Sequence, residues 1–208
     1  FYVFPELTSM DHAVWDFVFF WLANKMYAIF SLLFGFSFFV QHDNQAQKGK
    51  DFRPRFVWRM ILLALWGVFD LLFYNGDILL VYAVCGLFVL PFIRLSNKVL
   101  MGIAFFFMLQ PIELVYLVGG ILNPELQPLN LGANEAYSAI VPAQIDGSFG
   151  EVAWVSLKYG LLANFQWAIE NGRMTQTVFL FVMGIIIGRY RFLYDEGDNR
   201  ILWKRMMI

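Results

Sequence analysis

Phe73-Tyr74-Asn75-Gly76-Asp77-Ile78-Leu79-Leu80-Val81-Tyr82-Ala83-Val84-Cys85-Gly86 (FYNGDILLVYAVCG) joins two long apolar runs through a short polar turn. Asn-Gly is a turn signal. Asp77 stands at the head of the second run, where a carboxylate oxygen accepts the orphan amides of a first helical turn. The apolar residues on either side are long enough for a helix that runs out, turns, and runs back. Asp77 then reads either as a cap or as part of a reaction site, and the two roles are compatible.

Working outward, the 208 residues are 60% hydrophobic and 19% aromatic, with 24 Phe and only 15% charged residues. Soluble domains carry about a quarter charged residues. A core of this size cannot hide so many apolar side chains without leaving large exposed patches, so the composition predicts a chain that lives in lipid. A span takes about 20 apolar residues for a core of roughly 30 Å. Segments 13–41, 56–74, 77–93, 99–122 and 174–189 are predicted to cross. Residues 123–148 read as a polar outer loop. Ser148-x-x-Glu151 reads as a capping box that opens a helix over 149–171, lying at the outer interface or re-entering the bundle. The expectation is an all-α, polytopic transmembrane bundle: one domain over 1–208, with about five spanning helices and one interfacial or re-entrant helix. Lys48, Lys50, Arg53, Arg55, Arg94, Lys98, Arg189 and Arg191 set the orientation through the positive-inside bias. Phe1 is not Met, and Asn199 to Ile208 resembles the entry to a further helix. The chain therefore reads as a fragment of a larger membrane protein.

Charged side chains inside a span are costly and mark functional sites by default. At the helical rise, Lys25, Asp70 and Glu113 fall roughly 21–24 Å from the inner surface, with Asp77 at the outer end of its helix. Lys25, Asp70, Asp77 and Glu113 are the candidate catalytic layer, and Pro111 beside Glu113 is expected to interrupt its helix. Arg53, Arg55 and Arg59 at the inner side are candidates for holding the phosphates of a cytosolic cofactor. Cys85 is the single cysteine and His12 and His42 lie far apart, so neither a disulfide nor a Cys-and-His metal site is expected. No nucleic-acid patch is visible. Ser31-x-x-x-Gly35 and Gly184-x-x-x-Gly188 read as close helix-packing faces, with a homo-oligomer as one outlet for them.

Lys25-Met26-Tyr27-Ala28-Ile29-Phe30-Ser31-Leu32-Leu33-Phe34-Gly35 resembles the signature of the YeiB-like bacterial membrane proteins, domain of unknown function four-eighteen. Arg59, Gly67, the Gly76-Asp77-Ile78-Leu79-x-x-Tyr82-Ala83-x-x-Gly86 stretch, Gly147-Ser148-Phe149 and the Met183-Gly184-x-x-x-Gly188-Arg189 ending are similar too. The resemblance implies a multi-pass protein of the bacterial inner membrane, with helices before Phe1 and after Ile208. It also implies a distant relation to transmembrane acetyltransferases of the heparan-glucosaminide type. On that relation, cytosolic acyl-CoA is the co-substrate, at Arg53, Arg55 and Arg59, and an acceptor at the outer face is activated by Asp70, Asp77 or Glu113, with Lys25 tuning them. Many relatives carry His where this chain has Asp70, which moves acid/base work to a carboxylate. Two other readings stay open: a transporter or exporter with an intramembrane charged relay, and a structural subunit bound through its GxxxG face.

Overall fold

The computed structural model describes residues 8–21, 25–123, 125–194 and 199. Its helices are α1 (Ser9–Trp21), α2 (Lys25–Ala46), α3 (Arg53–Asp70), α4 (Leu79–Val89), α5 (Asn97–Met108), α6 (Pro111–Leu122), α7 (Ala133–Ser138), α8 (Val141–Asp146), α9 (Phe149–Val155), α10 (Leu161–Glu170) and α11 (Arg173–Arg189). A 3₁₀ turn, Leu90–Arg94, prolongs α4, and a π turn, Ser156–Gly160, joins α9 to α10.

The core is built around α11, which packs on α2, α4, α5 and α10, while α3 packs on α4. Small residues decide the closest contact. A Cβ on Gly35 would land on the Phe181 backbone, one on Gly184 would strike the Leu32 carbonyl and the Phe36 amide, and one on Gly188 would meet the Phe39 ring. The two small-residue faces read from the sequence therefore pack against each other. Around this seam Phe34 stacks on Phe181 with ring centroids 4.5 Å apart, and Phe38, Phe52 and Phe56 close the far side. Cys85 is buried in the same core.

The contacts also fix direction. Tyr27 meets Arg173 and Thr177, and Phe39 meets Gly188, so α2 and α11 run the same way. Ser31 meets Tyr82 and Phe34 meets Gly86, so α4 runs with them. Gly67 meets Leu80 and Met60 meets Gly86, so α3 runs back. α5 starts beside Arg189, and α6 reaches Gly172 at the head of α11. One end of the bundle thus gathers the starts of α2, α4 and α11 with the end of α3.

The expectation of about five spanning helices is corrected here. Among the described residues only Ser9–Ala46 is long and apolar enough to cross a membrane, and the pair Asn97–Met108 and Pro111–Leu122, bent by 42°, makes a second only if read as one broken span. The reasons are local. α3 carries Arg53, Arg55, Arg59 and Asp70 in 18 residues. α4 has 11 residues before the chain tightens into a 3₁₀ turn at Pro91. α11 has 17 residues, short of the roughly 20 of a span, and spends its apolar side chains on the core. Pro111 breaks its run as expected, because Gln110 before it adopts a left-handed conformation with φ 47°. The chain is all-helical with one candidate membrane-crossing segment, and the multi-pass description is withdrawn with the five spans.

Segment 149–171 opens as its sequence indicates. Ser148 donates its amide to Glu151 Oε2 at 2.7 Å within a capping box. It then passes through the π turn into α10, which packs on α7 and on α11.

Candidate functional site

A cavity of about 870 Å³ lies at the end of the bundle where α2, α4 and α11 begin. The turn Phe73–Ile78 forms its floor, Tyr27 and Arg173 one wall, Tyr137, Ile140 and Gln144 another, and Val152, Asn164 and Trp167 the cover. Mostly aromatic and aliphatic walls with a few polar groups are usual for small-molecule sites.

The turn is fixed from two sides. Tyr137 donates its hydroxyl to the Asn75 carbonyl at 3.2 Å, and Asn164, itself buried, donates its side-chain amide to the Asp77 carbonyl. Gly160 in the π turn leaves space for the Asn75 side chain, which a Cβ would otherwise meet at 2.7 Å. Gly67 does the same for Asp77, whose Oδ2 lies 3.0 Å from where a Gly67 Cβ would be. Asn75 Oδ1 and Asp77 Oδ2 are both buried without a hydrogen-bond partner, packed toward Gly160 and Gly67, neither of which lines the cavity.

Asp77 is 8% exposed. Burial pushes its carboxyl above the usual range; the Leu79 amide, with those of Ile78 and Leu80, pulls it back, and the Asp70 charge adds to the rise. The helix cap itself is Ile78, with no side-chain cap bond, so Asp77 sits one residue outside the expected position and acts on the first-turn amides by its charge. An acid whose folded pKa is raised loses stability as pH rises from its unfolded pKa through its folded one. Asp77→Asn is therefore expected to flatten the stability–pH profile above pH ~3.9, with the variant gaining on wild type as pH rises through the raised folded value. Chemical denaturation at a series of pH values reads this directly, and parallel profiles would show that the carboxylate ionises freely.

The other expected residues separate. Asp70, half-buried at the end of α3, is close enough to act on Asp77. Glu113 is on α6 with both carboxylate oxygens buried and unpartnered, packed against Gly172 at the head of α11. A carboxylate there complements the helix dipole. Lys25 is exposed, with its ammonium 4.7 Å from the Phe20 ring centroid. The helix ends that carry all four lie at the cavity end, but of the four only Asp77 lines the cavity. Arg53, Arg55 and Arg59 lie in the first turns of α3, at the opposite end of the helix that finishes at Asp70. Arg53 pairs with Asp51 at 2.9 Å, and Arg59 donates to Gln41. Among the described residues no three His, Cys, Asp or Glu side chains converge on a metal-sized site.

Sequence reasoning passed over Arg173, Asn164, Tyr27 and Tyr137. Arg173 holds its guanidinium 5.1 Å from the Tyr27 ring centroid and 5.8 Å from that of Trp167, and donates to Gln176 at 3.2 Å. Tyr27 donates to the Arg173 carbonyl at 3.0 Å and shares a hydrogen bond with Thr177. Asn164 shares α10 with Gln166 and Glu170, and Arg173 stands at the first position of α11 beside Thr175, Gln176 and Thr177, so neither stands out in the sequence as an isolated polar residue.

No family model matches the chain, and no solved structure matches it. Two curated proteins are similar over part of it. "Uncharacterized 39.9 kDa protein in amylase 3'region" of Bacillus acidopullulyticus is 35% identical over 95 residues, which is 46% of this chain and 28% of that protein. "Uncharacterized protein YxaH" of Bacillus subtilis (strain 168) is 37% identical over 95 residues, 45% of this chain and 24% of the relative. The matched region spans about a quarter of these relatives' length. Neither name states an activity. The multi-pass, transporter and acyltransferase descriptions lose their support on the same findings: among the described residues one helix, or two if the bent pair is one span, is long and apolar enough to cross, and neither relative's name carries such an activity.

Proposed function

We propose that the chain is a membrane-attached binding protein whose cavity takes a small amphipathic molecule with an apolar body and a hydrogen-bond donor, an amine or an alcohol. The observation that carries this reading is the cavity floor. Asn75 and Asp77 line it, each with a buried side-chain oxygen that lacks a donor, beside Phe73, Ile78, Val81 and Trp167. Buried polar groups normally have partners, and an exception calls for a physical reason. A ligand N–H or O–H that draws the Asn75 or Asp77 side chain round toward the cavity supplies one. The Asp77 carboxylate favours a cation over an anion there, since Arg173 is already held by Gln176 and two rings. Attachment to the membrane is through Ser9–Ala46.

Membership of the YeiB-like family belongs to this proposal. Its support is that the motif residues touch one another: Gly67 makes room for Asp77, Ser31 bonds Tyr82 at 2.6 Å, and Gly35 takes the Phe181 backbone.

Calorimetric titration with 2-phenylethylamine, 2-phenylethanol and phenylacetate tests the reading, because the three share a body and differ in headgroup. The amine and the alcohol are expected to bind, and the amine to tighten with rising pH as Asp77 ionises. Val152→Trp, which fills the cavity, is expected to abolish binding, and Asp77→Asn to weaken the amine about ten-fold, or ~1.4 kcal/mol. Equal binding of phenylacetate, or binding that survives Val152→Trp, would remove the assignment.

A further inference from the structure

The end of the bundle opposite the cavity carries the reverse charge. There α2 ends and α3 begins, α4 and its 3₁₀ turn end, and α5 begins beside the end of α11. Among the described residues, these connections bring Lys48, Lys50, Arg53, Arg55, Arg94 and Lys98 together against Asp43 and Asp51. The grouping is a property of the fold, because Arg189 holds the 93–97 connection to the end of α11 and the Arg94 charge reaches Asp51 in the 46–53 connection. Lys48, Lys50, Arg55, Arg94 and Lys98 are exposed. Exposed apolar side chains alternate with them: Trp58 lies one turn after Arg55, and Val99 and Met101 follow Lys98.

We propose that this basic end is a docking surface for anionic phospholipid headgroups. The charge is complementary, because Lys and Arg side chains near an anionic membrane surface are attracted to its headgroups. The candidate crossing segment ends at Ala46, two residues before Lys48, which places the cations where such a segment leaves the bilayer. The neighbouring Trp and aliphatic side chains favour a headgroup interface over a polyanion in water, since Trp is enriched at that depth. The surface is independent of the cavity.

The test uses the full-length protein in neutral detergent, with dihexanoyl-phosphatidylglycerol, dihexanoyl-phosphatidylcholine, inorganic phosphate and a single-stranded oligonucleotide as probes in a thermal-shift series. Phosphatidylglycerol is expected to raise Tm saturably and phosphatidylcholine not. The shift is expected to vanish near 0.5 M NaCl, where the screening length falls to about 4 Å. Substituting Lys48→Gln, Lys50→Gln, Arg94→Gln and Lys98→Gln together is expected to weaken the lipid effect at least ten-fold without changing Tm in its absence. An equal shift with phosphatidylcholine would reduce the surface to apolar contact, and one with phosphate would reduce it to a free-anion site. An oligonucleotide shift without a phosphatidylglycerol shift would assign it to nucleic acid. Each of these overturns the proposal. If the four-fold variant does not fold, the salt and headgroup dependence of the wild type decides alone.

Discussion

Gly184→Leu is expected to abolish the native bundle, or to destabilise it by about 3 kcal/mol or more, at the upper end of overpacking costs. The first carbon added would lie 2.2 Å from the Leu32 carbonyl oxygen and 2.5 Å from the Phe36 amide nitrogen, far inside contact distance. Backbone cannot rotate aside as a side-chain tip does, so α2 and α11 must separate along their whole contact. The Phe34–Phe181 stack and the Ser31–Tyr82 hydrogen bond separate with them. Gly35→Leu, on the facing helix, is expected to fail for the same reason against Phe181. Gly102→Leu is the control, since nothing lies within 4 Å of a Cβ there and a helical glycine gains from replacement. Denaturation midpoints of the three variants check this. Similar losses at Gly102 and Gly184 would mean that the seam does not hold the bundle.

Arg189→Met is expected to cost about 3 kcal/mol, because charge-assisted hydrogen bonds to buried acceptors are lost while the acceptors stay. The guanidinium donates to the Leu95 carbonyl and Asn97 Oδ1, each at 2.7 Å, and to the Ile93 carbonyl at 2.6 Å. Those carbonyls belong to the end of the 3₁₀ turn and the approach to α5, where no further helical amide is available to them. The methionine keeps the volume of the stem, so the loss reports the hydrogen bonds and not a cavity. Arg94→Met, at an exposed neighbouring position, is expected to stay within about 0.5 kcal/mol of wild type. Thermal or denaturant unfolding of the pair checks the prediction, and equal stabilities would show that the connection is held by packing alone.

Much of the packing was legible because it rests on residue size at fixed spacing. Ser31-x-x-x-Gly35 and Gly184-x-x-x-Gly188 announce faces where backbones approach, and such faces depend on little else. The Ser148–Glu151 box and the break before Pro111 were legible for the same reason, since both are set by bonds within a few residues. The five spans were misread because apolar content does not say what an apolar face is packed against. α11 is apolar and central, and most of its surface is covered by other helices of the same chain. The structure brings the helix ends that carry Lys25, Asp70, Asp77 and Glu113 to one end of the bundle. Depth along a helix placed the ends of α2, α3 and α6 on one level, but the direction of a side chain depends on its neighbours. That is why Lys25 lies exposed while Asp77 is buried on Gly67.

By itself the sequence determined an all-helical chain, its turns, the Ser148–Glu151 capping box, the small-residue faces of α2 and α11, and the place of Asp77 at the head of α4. These follow from local backbone preference and side-chain volume, which act over a few residues. Only the tertiary structure decided that the two small faces meet each other, and that Arg173 and Asn164 join Asp77 around one cavity. Those relations link residues far apart in the chain, such as Leu32 with Gly184 and Asp77 with Asn164. Spacing along one helix fixes which side chains share a face, whereas the partner of that face is chosen by the packing of the whole chain.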